Sequence, residues 1–233
     1  VSEQRPPRRP ADFLAAHRGG GLATLLDQRG GALFAYAAWR TGLKPTHLTL
    51  LNLVLGLGTS ATVIAYIPAA QDGAPWWPVA LGALVLWHTA YMLDCADGQL
   101  ARVTRTGSDA GARVDILADV AVQVSVVAAV VAVTSAYAPW VPAWCGGAYA
   151  AVNMTNLVTS VMAKEDASVS MVKSTNIIVR LIKLVRDYGF VIAAVALALL
   201  RPELMAFVML FFGTVNALFL LASIAVNARA TLR

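Results

Sequence analysis

Long apolar runs alternate with short polar breaks along most of the chain. Apolar residues dominate positions 46–68, 76–93, 114–136, 140–163, 177–200 and 203–226. Each run is long enough to cross a bilayer core as a tilted helix of about 20 residues. The breaks are Pro68 to Pro75 with Asp72 and Gly73, a polar stretch from Asp94 to Asp115, Tyr137 to Pro142, Lys164 to Asn176, and Arg201-Pro202-Glu203. This pattern predicts an all-α, polytopic integral membrane protein with six transmembrane helices and both termini on one side. No internal repeat of fixed period is visible.

Composition agrees with that pattern: 58% of the 233 residues are hydrophobic and 13% charged, about half the roughly 25% charge of soluble domains. An ordinary soluble globule is thereby excluded. The two cysteines give no basis for a disulfide framework, and no short apolar core with a cleavage site marks a secretory signal. The net charge of +5 is explained by where the charges fall. With six spans, every Lys and Arg except Arg201 lies on one side, which the positive-inside rule makes cytoplasmic. A nucleic-acid partner is not needed to account for it.

Residues 1–44 form a separate region ahead of the membrane domain at 45–228. Arg5-Pro6-Pro7-Arg8-Arg9-Pro10 reads as a basic tail whose prolines forbid a regular helix. From Phe13 to Arg40, apolar clusters alternate with Arg and Gly, which predicts an interfacial amphipathic segment of one or two helices with Trp39 and Arg40 at headgroup level.

The chemistry concentrates between the second and third spans. Asp94 and Asp97 are i and i+3, and Asp115 and Asp119 are i and i+4, so each pair occupies one helix face. Consecutive spans run antiparallel, so all four carboxylates converge at one membrane face. Such a cluster repels itself unless cations neutralise it. Oxygen ligands without His or Cys select Mg²⁺ or Mn²⁺. Gly98 opens the backbone beside Asp97, Ala101 keeps the next turn clear, Gly111 permits close approach one turn before Asp115, and Arg102 is a planar cation suited to a carboxylate or a phosphate.

Taken together, these residues read D-x-x-D-G-x-x-A-R-(x8)-G-x-x-x-D-x-x-x-D, which resembles the signature of the CDP-alcohol phosphotransferase family at all eight fixed positions. Upstream, Lys44 to Asn52 resembles that family's Pro-x-x-(Leu/Ile)-Thr entry to the first span, with Thr49 as its threonine. The resemblance implies that an alcohol attacks the β-phosphorus of a CDP-linked donor, a phosphodiester forms and CMP leaves. It further implies two divalent ions on Asp94, Asp97, Asp115 and Asp119, with Asp119 also the general base. Gly98, Ala101, Arg102, Gly111 and Thr49 would line the nucleotide site, and the protein would be a homodimer in the cell membrane with a cytoplasmic active site.

The expected reaction moves a phosphatidyl group from CDP-diacylglycerol to a polar, phosphorylated alcohol. The alternative is transfer of a phospho-alcohol head group from a soluble CDP-alcohol to a lipid acceptor. A small cation transporter is disfavoured, because transport predicts acids near the bilayer midplane on broken helices. Lys164, Arg180, Lys183 and Arg186, around the entry to the fifth span, are candidates for binding an acceptor phosphate; snorkelling and topology also account for them.

Other residues read as structural. Cys95 is a small filler facing away from the acids, and Cys145 lies too far off to pair with it. His88 is expected to be a hydrogen-bonded interior residue. Trp76, Trp77, Trp140 and Trp144 form an aromatic belt. Asn153, Asn156 and Asn216 join helices, and Gly56 and Gly58 let helices pack.

Overall fold

A computed structural model describes residues 9–17, 24–165 and 187–231, and the regular structure among these is helical. The helices are α1 (Pro10–Leu14), α2 (Thr24–Thr41), α3 (Pro45–Gln71), α4 (Trp77–Thr104), α5 (Asp109–Tyr137), α6 (Ala143–Glu165), α7 (Tyr188–Ala198) and α8 (Met205–Thr231), with a short 3₁₀ turn at Pro202–Leu204.

Local chemistry sets the ends. Pro45 opens α3, where its missing N–H would be unpaired in any case, and the Lys44 N–H donates to His47 Nδ1 at 3.1 Å. Gly73, at φ 102°, supplies the left-handed turn after α3. Arg105 adopts the same region at φ 55° to end α4. Ser108 caps α5 by accepting the Gly111 N–H at 3.1 Å, and Asp187 caps α7 by accepting the Gly189 N–H at 3.1 Å.

Among the described residues, four segments are long and apolar enough to cross a membrane: Pro45–Gln71, Trp77–Thr104, Asp109–Tyr137 and Pro202–Ala225. They lie over four of the six expected spans. The helices α6 and α7 stand where the other two were expected. Outward-facing Leu50, Val54, Leu81, Val85, Phe207 and Leu218 give these helices an apolar exterior, as a lipid solvent requires.

Between the long helices the packing is made of small and branched side chains. A Cβ on Gly56 of α3 would come within 2.6 Å of Val122 on α5, so the two helices meet through that absence. Deeper in, Trp87 Nε1 of α4 donates to Ser60 Oγ of α3 at 3.2 Å. The Ser125 hydroxyl of α5 lies 2.9 Å from the same oxygen. This buried node ties α3, α4 and α5 above the acidic face and satisfies polar groups that would be costly if left unpaired. Asn216 Nδ2 donates to Asn153 Oδ1 at 3.1 Å, and Asn156 Nδ2 to the Asn216 carbonyl at 2.9 Å, so the amides do join α6 to α8.

Three structural expectations change. Trp76 is buried, its indole N–H donating to the Tyr137 hydroxyl at 3.0 Å; Trp77, Trp140 and Trp144 remain exposed. Gly58 faces open space and does not mediate packing. The N-terminal region is more than a surface layer, because α2 docks on α4 with Asp27 and Gln28 buried and Leu26 and Leu33 outward.

Candidate active site

The signature segment closes α4 and opens α5. Asp94 and Asp97 on α4 and Asp115 on α5 each place a carboxylate oxygen within 4.8 Å of the others. Asp97 is buried, while Asp94 and Asp115 are partly so. Asp119, one turn beyond Asp115, has its carboxyl close to that of Asp94. The structure therefore divides the four acids into a compact group of three and a fourth against its edge.

Neighbouring groups hold this arrangement. The Thr49 hydroxyl of α3 donates to Asp97 Oδ2, which fixes that carboxylate from a third helix. Arg102 lies one turn beyond Gly98 with its guanidinium folded back: a Cβ on Gly98 would sit 2.9 Å from one terminal nitrogen and 3.2 Å from the other. Gly98 thus makes room for the arginine beside Asp97. Gly111 is the residue whose N–H meets the Ser108 cap, and a Cβ there would lie 3.2 Å from Ser108 Oγ. Ala101 is partly buried, and its carbonyl accepts the Thr106 N–H at 3.1 Å in closing α4.

Three carboxylates at this spacing carry more like charge than a partly dehydrated site tolerates alone. The donor set fits a hard divalent cation, since every grouped ligand is a carboxylate oxygen. Cys95 adds no soft ligand, because it faces α2: a Cβ on Gly31 would lie 2.8 Å from Cys95 Cβ. Of the basic residues expected near an acceptor, Arg180, Lys183 and Arg186 lie outside the described residues, as does the side chain of Lys164.

Several neighbours carried no signal in the sequence. Tyr188, at the start of α7, packs edge-on against Tyr91 with ring centroids 5.1 Å apart, and it is an electrostatic neighbour of Asp119 and Asp94. His88 does find a partner, Asp27 Oδ1 at 2.9 Å. Gln99 Nε2 donates to both the carbonyl and the side-chain oxygen of Gln28, at 3.0 and 2.9 Å. The charges before the first span all read as surface, so nothing marked Asp27 as buried.

A helical chain whose apolar segments carry a carboxylate cluster at their junction is a membrane protein built around an acidic centre. The chain belongs to the CDP-alcohol phosphatidyltransferase family, whose profile matches residues 43–227. Among relatives, cholinephosphotransferase 1 of Homo sapiens is 37% identical over 73 residues, 31% of this chain and 18% of that protein. The Gallus gallus cholinephosphotransferase 1 is 40% identical over 73 residues, covering 31% and 22%. The Danio rerio cholinephosphotransferase 1 is 32% identical over 108 residues, covering 46% and 28%. The matched stretch therefore spans 18% to 28% of these relatives' length.

Proposed function

We propose that this chain is a metal-dependent phosphotransferase of phospholipid synthesis, moving a substituted phosphate group from a CDP-linked donor to an alcohol with release of CMP. The observation that carries this reading is the convergence of Asp94, Asp97 and Asp115 within 4.8 Å, in a chain whose profile match is to CDP-alcohol phosphatidyltransferases.

Phosphoryl transfer depends mainly on positioning and charge neutralisation. Asp94, Asp97 and Asp115 would hold Mg²⁺ or Mn²⁺, with Asp119 completing a pair of sites. Bound there, the ions would supply charge neutralisation at the donor's diphosphate. The chain's own groups do the rest. Thr49 keeps one Asp97 oxygen engaged and so orients the other. Arg102, with Gly98, Ala101 and Gly111, cradles the nucleotide and its phosphates. Asp119, at the edge of the group, takes the proton from the acceptor hydroxyl as the new oxygen–phosphorus bond forms, and the bond to the CMP oxygen breaks.

Two directions use the same residues. In one, CDP-diacylglycerol is the donor and a polar, phosphorylated alcohol the acceptor, with Lys164, Arg180, Lys183 and Arg186 binding the acceptor's phosphate. In the other, a soluble CDP-alcohol donates its head group to a lipid hydroxyl, a direction favoured by the relatives named cholinephosphotransferase. CMP release measured with CDP-diacylglycerol against a panel of alcohols, and with CDP-choline and CDP-ethanolamine against diacylglycerol, separates them. Release with neither donor class overturns the proposal.

In the bilayer this reading has six spans, both termini and the acids on the cytoplasmic side, and a homodimer in the cell membrane. Leu26 and Leu33 of α2 then face lipid at the interface. The basic residues on the acidic side support that orientation.

A further inference from the structure

The region upstream of the matched family segment reaches the signature helix through polar contacts: Asp27 to His88, Gln28 to Gln99, and the Ala16 carbonyl to Arg102. The last of these touches the site. Arg102 Nε donates to the Ala16 carbonyl at 2.7 Å, a short and charge-assisted bond. Ala16 follows the last turn of α1, where helix carbonyls have no partner within the helix.

The segment holding that carbonyl is anchored by a buried aromatic side chain. Phe13 is 0% exposed, with its ring centroid 6.2 Å from that of Tyr36 and 6.4 Å from that of Trp39 on α2. Successive turns close on it: the Ala16 N–H donates to the Phe13 carbonyl at 3.0 Å, and the His17 N–H to the Leu14 carbonyl at 3.1 Å. The consequence falls on Arg102, whose side chain is exposed and has rotamer freedom to lose on binding. Engaging Nε from one side fixes the guanidinium plane and leaves its terminal nitrogens lying across Gly98 beside Asp97.

We infer that residues 9–17 are part of the donor-nucleotide site, with the Ala16 carbonyl a positioning group that holds the Arg102 guanidinium over Gly98, ready for the donor's phosphates. This rests on the proposed reading that Arg102 binds the nucleotide.

The test is a double-mutant cycle on the full chain in detergent, reading equilibrium binding of CDP in the presence of Mn²⁺. Phe13→Ala removes the buried anchor of α1, and Leu14→Ala is a milder change on the same helix should the first impair folding. Each is expected to weaken CDP binding by about tenfold or more, the scale of one charge-assisted hydrogen bond. In an Arg102→Ala background neither should weaken it further, and Mn²⁺ binding without nucleotide should be unchanged by Phe13→Ala or Leu14→Ala. Equal factors in both backgrounds, or unaltered CDP binding, would overturn the inference and leave the proposed function standing. Failure of the unaltered chain to bind CDP would overturn both.

Discussion

Thr49 and Asp97 meet through a hydrogen bond that joins α3 to the signature helix, 48 residues apart in sequence. The bond makes the first long helix a support for the acid cluster. Thr49→Val keeps the shape and removes the donor. Divalent-ion affinity is expected to fall by roughly ten- to a hundredfold, the usual effect of losing a group that orients a ligand. Titration of Mn²⁺ into the purified variant checks this, and unchanged affinity would detach Thr49 from the site.

The pair formed by Asp27 and His88 is a stability device. Asp27 is 1% exposed; its Oδ1 meets His88, and among the described residues its Oδ2 has no hydrogen-bond partner. His88→Ala should cost about 3 kcal/mol, because it strands a buried carboxylate. Replacing both, as Asp27→Leu with His88→Leu, should recover most of the loss, since apolar residues tolerate that environment. Thermal unfolding in detergent measures both changes, and a double variant weaker than the single would contradict the account.

Close approach of α2 to α4 makes a sharper steric forecast. A Cβ on Gly31 would come within 2.9 Å of the Met92 carbonyl oxygen, a backbone atom that cannot swing aside. Gly31→Ala should therefore destabilise by about 1–3 kcal/mol, whereas Gly58→Ala, in open space, should be neutral or slightly stabilising. Paired melting curves distinguish the two positions.

Asp119 stands against Asp94 and outside the compact group of three. Asp119→Asn should still bind the CDP-linked donor with metal while turnover falls by about 10² to 10⁴, the range for losing a general base. Donor affinity that collapses together with turnover would make Asp119 mainly a metal ligand or structural residue, without the role of base.

Much of the bundle was legible because hydropathy in a membrane reports on length directly. The apolar runs at 46–68 and 114–136 lie within α3 and α5, and that at 76–93 within α4 save for Trp76 just before it; turns that carry charged or polar residues extend these helices. The convergence of Asp94, Asp97 and Asp115 followed from helical spacing and the antiparallel course of consecutive spans. What escaped was the role of α1 and α2. Burying Asp27 and Gln28 while turning Leu26 and Leu33 outward inverts the hydropathy rule of soluble domains, and the polar partners His88 and Gln99, more than 60 residues away, satisfy the buried groups. The Trp76 position failed for a related reason: an indole is read as interfacial until the Tyr137 hydroxyl that satisfies it is known.

CMP release by the purified chain tests the central claim most directly, with CDP-diacylglycerol plus polar alcohols and CDP-choline plus diacylglycerol as the substrate sets. The account predicts release that is abolished by chelation, restored by Mg²⁺ or Mn²⁺, and absent from folded Asp97→Asn at any concentration of either ion. Release that survives chelation, or an Asp97→Asn variant that turns over comparably to the unaltered chain, would contradict it.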